Sequence, residues 1–200
     1  MSDDFTCGLV LLAAGASRRM GRPKQLLPVA GQPMVRHVAL AIFAAPLSPR
    51  VVVLGAHAKE IIPALAGISM EVVVHADWAK GMGSSLAAGV AAALKLDPQM
   101  QGLIIVLADQ PWLNERDLGR LLEVRRQTGL GLVASTVDGV LGPPVLFTAA
   151  WFPKLLELEG DAGAKSLLEA NRAMVATVPF AARIDLDTPE DYENCPARRG

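Results

Sequence analysis

The sequence predicts an α/β protein, a three-layer α/β/α sandwich built on a mostly parallel sheet. Three observations lead there. Short β-branched runs alternate with longer segments of helical apolar spacing. The runs are apolar at nearly every position, as expected of strands whose two faces are both covered by helices. And 200 residues, 52% of them hydrophobic, suffice for one domain over 1–200 that buries a core without disulfide or metal staples.

The strand candidates are "GLVLLA" (8–13), "RVVVLG" (50–55), "EVVVHA" (71–76), "GLIIVLAD" (102–109), "GLVAST" (131–136) and "MVATV" (174–178). Between them, 34–44, 59–65, 84–96, 115–127, 150–158 and 164–170 read as helices. Segment 141–147 interrupts the alternation as an extra strand or hairpin, because Gly142, Pro143 and Pro144 cannot continue a helix. Ser84 or Ser85 is placed to cap helix 84–96. Near the C-terminus, Thr188, Pro189 and Asp191 read as N-cap, N1 and N3 of a final helix, so capping does not require Asp185 or Asp187.

Composition narrows the function classes. A net charge of −1 and a pI near 6.3 give no overall field that would hold nucleic acid or an anionic membrane. Cys7 and Cys195 have no spacing suited to a disulfide framework or to zinc, which points to a reducing, cytoplasmic setting. The acidic start "MSDDFTCG" is unlike a signal peptide, and the apolar runs fall short of the ~20 residues a membrane span needs. His37, His57 and His75 show no metal or triad spacing and receive no chemical role. The tryptophans and phenylalanines lack the basic interleaving of single-strand nucleic-acid binders.

Local chemistry is concentrated in "LAAGASRRMGRPKQLL" (12–27). This loop leaves the carboxyl end of the first strand, where open α/β sheets bind ligands. Gly15 and Gly21 permit close backbone approach, and consecutive N–H groups in such a turn can cradle an anion. Arg18, Arg19 and Lys24 add charge-assisted donors. The spacing G-x5-G-x2-K is neither a P-loop nor a dinucleotide fingerprint. Two readings remain at this point, a solvated surface turn and a phosphate site. Asp109, at the end of another apolar strand and followed by "QP", is either a turn cap or a metal ligand at the same sheet edge.

The string "LAAGASRRMGRPKQLLPVAGQP" resembles the signature of the MobA-like nucleotidyltransferases, nearest the molybdenum cofactor cytidylyltransferases. The resemblance continues in order through "GMGSSLAAG" (81–89), "VLADQP" (106–111), "GPPVLF" (142–147), "EGDAGAKSLL" (159–168) and "DLDTPEDY" (185–192). It implies a Rossmann-like sheet of the nucleotide-diphospho-sugar transferase type. It also implies Mg²⁺ as cofactor and CTP as substrate, with CMP passed to the terminal phosphate of molybdenum-molybdopterin. The product would reach a molybdenum hydroxylase or its maturation chaperone.

Carried over residue by residue, the resemblance makes Lys24, Arg19 and Asp109 catalytic, with Asp109 and Asp187 on the metal. Leu12, Ala13, Ala14, Gly15, Ala16, Ser17 and Arg18, with Gly81, Gly83, Ser84 and Ser85, would bind the nucleotide. Gly142, Pro144 and Asp161 would lie on the acceptor side, where Pro143 departs from the polar residue expected. Guanylyl-transferring relatives typically carry glycine where this chain has Ala14, whose methyl leaves less room beside the base and favours CTP over GTP. The same loop also resembles methylerythritol phosphate cytidylyltransferases and sugar-phosphate nucleotidyltransferases. A non-catalytic alternative is a nucleotide sensor or cofactor-delivery chaperone.

Overall fold

The computed structural model describes residues 5–161, 163–180 and 185–195. A seven-stranded sheet runs in the order β5-β4-β1-β6-β8-β7-β9. Its strands are β1 (Cys7–Ala13), β4 (Arg50–Leu54), β5 (Glu71–Val74), β6 (Gly102–Leu107), β7 (Leu132–Val137), β8 (Val140–Thr148) and β9 (Val175–Pro179). Strands β2 (Pro28–Val29) and β3 (Gln32–Pro33) form a separate small hairpin. All adjacent pairs in the large sheet are parallel except those made by β8 with β6 and β7.

The apolar runs are continuous because the pleat sends alternate residues into two different layers. From β1, Leu9 and Leu11 enter a core with α1 (Met34–Phe43), α2 (Ala58–Ile61), α4 (Glu115–Thr128) and α7 (Pro189–Glu193). Val10 and Leu12 enter the opposite core with α3 (Met82–Leu96), α5 (Phe152–Leu156) and α6 (Lys165–Ala170). Each fully buried leucine or valine is worth about 1.5–3 kcal/mol relative to exposure. The three-layer expectation therefore holds.

Several local expectations need correction. Segment 59–65 is not one helix: α2 passes into a 3-10 turn at Ile62–Leu65, where Pro63 supplies no N–H. Segment 150–158 likewise divides into a 3-10 turn, Ala149–Trp151, and α5. Helix α3 begins at Met82, so Ser84 and Ser85 are not its N-cap; Gly81 is, and both hydroxyls lie within the first turn, bonded back to the Gly81 carbonyl. The extra strand over 141–147 is present as β8. Register slips between Ala134 and Ser135 opposite Pro143 and Pro144, which lack the N–H groups a ladder requires. The hairpin β2–β3 turns at Ala30 and Gly31 with φ of 46° and 75°, and its strands are too short to show a periodic pattern in the sequence.

Candidate active site

Strands β1 and β6 are parallel neighbours with Leu12 opposite Leu107, and the Ala108 N–H donates to the Leu12 carbonyl at 3.0 Å. The glycine loop and Asp109 thus leave the same sheet edge side by side. Asp187, 78 residues further along, is brought there by the Leu186 N–H, which donates to the Asp109 carbonyl at 3.1 Å. Its approach is fixed by α7. Thr188 and Asp191 form the expected capping box, and the Tyr192 hydroxyl donates to the Pro28 carbonyl at 2.7 Å.

Four predicted residues meet in one cluster. The Lys24 ammonium lies 2.6 Å from Asp109 Oδ2 and 2.7 Å from Asp187 Oδ1, while Arg19 reaches Asp187 Oδ2 at 2.7 Å. Lys24 and Asp109 side chains are each only 14% exposed, whereas Arg19 is 69% exposed. Burial works against the Lys24 charge, but the charge and hydrogen bond of Asp109, then those of Asp187, prevail and raise its pKa. Burial alone would raise Asp187. The hydrogen bond from Lys24, the charges of Lys24 and Arg19, and the Arg19 hydrogen bond instead hold its carboxyl below the ordinary aspartate value. The second oxygen of Asp109, Oδ1, is buried and has no hydrogen-bond partner among the described residues.

The glycine loop presents donors beside this cluster. Among the described residues, the backbone N–H groups of Gly15, Ala16, Ser17, Arg18 and Arg19 donate to no protein acceptor. The Ser17 carbonyl accepts from Met20 and Gly21, closing the turn, and Ser17 itself holds a left-handed φ of 54°. Buried Gln25 donates to the Ala13 and Gly15 carbonyls at 3.1 and 2.8 Å.

The opposite wall of the cleft depends on close backbone contact. A Cβ on Gly81, whose φ is 107°, would lie 2.4 Å from the Gly160 carbonyl group and 2.7 Å from Asp161 Oδ1. Gly83 packs on the Glu159 backbone and its N–H donates to the Gly160 carbonyl at 2.8 Å. His75 Nε2 pairs with Ser84 Oγ at 3.1 Å, so this histidine braces the loop although the sequence suggests no role for it.

The cleft encloses about 510 Å³. Every predicted residue from Leu12 to Arg19 lines it, together with Lys24, Gly81, Ser85, Asp109, Asp161 and Asp187. Gly83 and Ser84 are not among the lining residues, and Gly142 and Pro144 are buried in β8 outside the lining. Met82, within the stretch 81–85 expected at the nucleotide, lines the cleft as well, and Gln25, Trp78, Ala79, Leu107 and Ala108 also line it and escape the sequence reading. For Trp78 a positional signal exists, since it follows β5 at the ligand-binding edge. Asp185, left open by the sequence, lines the cleft too and accepts from buried Gln110 at 3.0 Å. Gln110 also donates to the Pro143 carbonyl at 3.4 Å, linking this site to β8.

This arrangement can hold a polyanion. Residues 9–175 match the MobA-like NTP transferase domain. The chain is 36% identical over 191 residues to nicotine blue oxidoreductase of Paenarthrobacter nicotinovorans, covering 92% of this chain and 90% of that one. It is 32% identical over 200 residues to the purine catabolism protein PucB of Bacillus subtilis, covering 92% and 93%. Among solved structures, Rv0371c of Mycobacterium tuberculosis superposes with a TM-score of 0.84 at 29% identity, covering 98% of each chain. That protein has also been solved in complex with manganese. No helix among the described residues is long and apolar enough to cross a membrane.

Proposed function

The chain belongs to the MobA-like NTP transferase family, and from this premise we propose that it transfers CMP from CTP to the terminal phosphate of molybdenum-molybdopterin, releasing pyrophosphate. It is a nucleotidyltransferase. The observation that supports its triphosphate part is the row of five undonated N–H groups ending beside Lys24, Asp109 and Asp187 in one cleft, while cytosine and the pterin acceptor rest on the sequence resemblance.

In the reaction an acceptor phosphate oxygen forms a bond to the α-phosphorus as the bond to pyrophosphate breaks. No protein nucleophile is required, so rate enhancement comes from positioning and charge stabilisation. The N–H groups from Gly15 to Arg19 bind the β- and γ-phosphates together with the Arg19 guanidinium. Lys24 supports the α-phosphate. The unpartnered Asp109 Oδ1 and the carboxylate of Asp187 suit a hard cation that takes one or two carboxylates and completes its shell with phosphate and water. When bound, Mg²⁺ or Mn²⁺ would draw charge from the departing pyrophosphate. Support for a divalent ion also comes from the manganese complex of the mycobacterial relative. Asp161 and Asp185, the latter held by buried Gln110, line the cleft and are assigned to the acceptor side. The dinucleotide then passes to a molybdenum hydroxylase or its maturation chaperone.

The decisive experiment incubates the protein with Mg²⁺, each of the four nucleoside triphosphates, and either molybdenum cofactor or methylerythritol phosphate, with product masses recorded. The expected product is molybdopterin cytosine dinucleotide. A cytidylylated sugar alcohol would replace this acceptor assignment, and equal rates with CTP and GTP would remove the role given to Ala14.

A further inference from the structure

We propose that Gln25 is the positioning residue that shapes the anion cradle, holding the peptide planes after Ala13 and Gly15 and the turn at Ser17 so that the N–H groups of residues 15–19 are presented as a set. This inference rests on the triphosphate reading of the cleft. Gln25 lies in the 3-10 turn Lys24–Leu26 and is 2% exposed. Its Nε2 donates to the Ala13 and Gly15 carbonyls, and its Oε1 accepts from Ser17 Oγ at 3.2 Å. One amide therefore touches three of the five residues that form the start of the loop.

In a trans peptide the carbonyl and the following N–H point in opposite directions. Drawing the Ala13 and Gly15 carbonyls onto Gln25 consequently turns the N–H groups of Ala14 and Ala16 away from it. The Ser17 hydroxyl, bonded to Gln25, also accepts from the Lys24 N–H at 3.1 Å, which restrains Ser17 in its left-handed backbone conformation. Because Gln25 follows Lys24 directly, the turn that aims the ammonium at the carboxylates also fastens the cradle. Glutamine satisfies both requirements, donating to two carbonyls while accepting from a hydroxyl. Glutamate would accept from Ser17 but set anionic oxygens against two carbonyls, and methionine would fill the space while removing the donor to both carbonyls and the acceptor of the Ser17 hydroxyl, which would keep only the Lys24 N–H.

The test measures binding of inorganic tripolyphosphate, CTP and cytidine to wild type, Gln25→Met and Gln25→Glu by calorimetry, with circular dichroism as a check on folding. Gln25→Met is expected to weaken tripolyphosphate and CTP binding about tenfold or more while cytidine binding stays unchanged. Gln25→Glu is expected to weaken it further. If Gln25→Met does not fold, Ser17→Ala, which removes only one side of the network, is expected to show the same selective loss at smaller size. Wild-type tripolyphosphate affinity in whichever variant folds, or an equal loss of cytidine and CTP, overturns the role of Gln25. A wild-type protein that binds no tripolyphosphate or nucleotide overturns the triphosphate reading itself.

Discussion

Lys24 carries two separable effects, one on chemistry and one on stability. As the donor nearest the proposed α-phosphate, its replacement in Lys24→Ala is expected to lower turnover by on the order of 10²–10³, the scale for losing one preorganised charge-stabilising group. A variant that keeps more than about a third of wild-type kcat removes Lys24 from that role. In metal-free protein the same ammonium anchors two acids. Asp187 is held below its ordinary value of 3.8, so its contribution is fully present above that pH and is lost as pH falls through the lower folded value. Lys24 is held above its ordinary value of 10.5, so its contribution is present below that pH and lost as pH rises through the higher folded value. Melting curves recorded in chelator should therefore show this cluster intact across neutral pH. Lys24→Met should shift the acid limb to higher pH, because Asp187 loses its main donor. Superimposable acid limbs in the two proteins would contradict the ion-pair account.

Two glycines in the helices behave oppositely, and their surroundings explain why. Gly89 in α3 faces the sheet, where an added Cβ would lie 2.7 Å from a Val10 methyl and 2.9 Å from a Val53 methyl. Helix propensity favours alanine over glycine by about 1 kcal/mol, but overpacking at such contacts costs about 1–3 kcal/mol. Gly89→Ala should therefore leave the protein no more stable, and up to about 2 kcal/mol less. Gly119 in α4 is exposed, and a Cβ added there would meet nothing within 4 Å, so Gly119→Ala should gain up to about 1 kcal/mol. Paired thermal melts read both signs. Stabilisation by both substitutions would mean that α3 sits further from β1 and β4 than the structure shows. The close approach matters to the site because α3, capped by Gly81, carries Ser85 to the cleft wall.

At the scale of the molecule, the cleft joins residues separated by most of the chain, so ligand binding should stabilise the fold as a unit. CTP with Mg²⁺ at about 100 times its Kd is expected to add about 2.7 kcal/mol, or about 5–10 °C in melting temperature. A nucleotide that leaves the melting temperature unchanged at saturating concentration is not the substrate. Much of this architecture is legible in the sequence. The continuous apolar runs require a sheet covered on both faces, the loop after β1 has to leave from the ligand-binding edge, and Thr188, Pro189 and Asp191 fix the start of α7 locally. Those features depend on periodicity, steric limits and capping, which act over a few residues. Sequence could not reveal that the Leu186 N–H docks on the Asp109 carbonyl, that Gln25 lies beneath the glycine loop, or that Gly81 must meet Gly160. It also misplaces the cap of α3, because Gly81 is selected there by a contact with a segment 79 residues away rather than by its neighbours. The sequence by itself determined the layers, the edge and the chemical inventory of the site. The tertiary structure decided which of those groups share one cleft, because that depends on packing between segments whose separation along the chain carries no periodic signal.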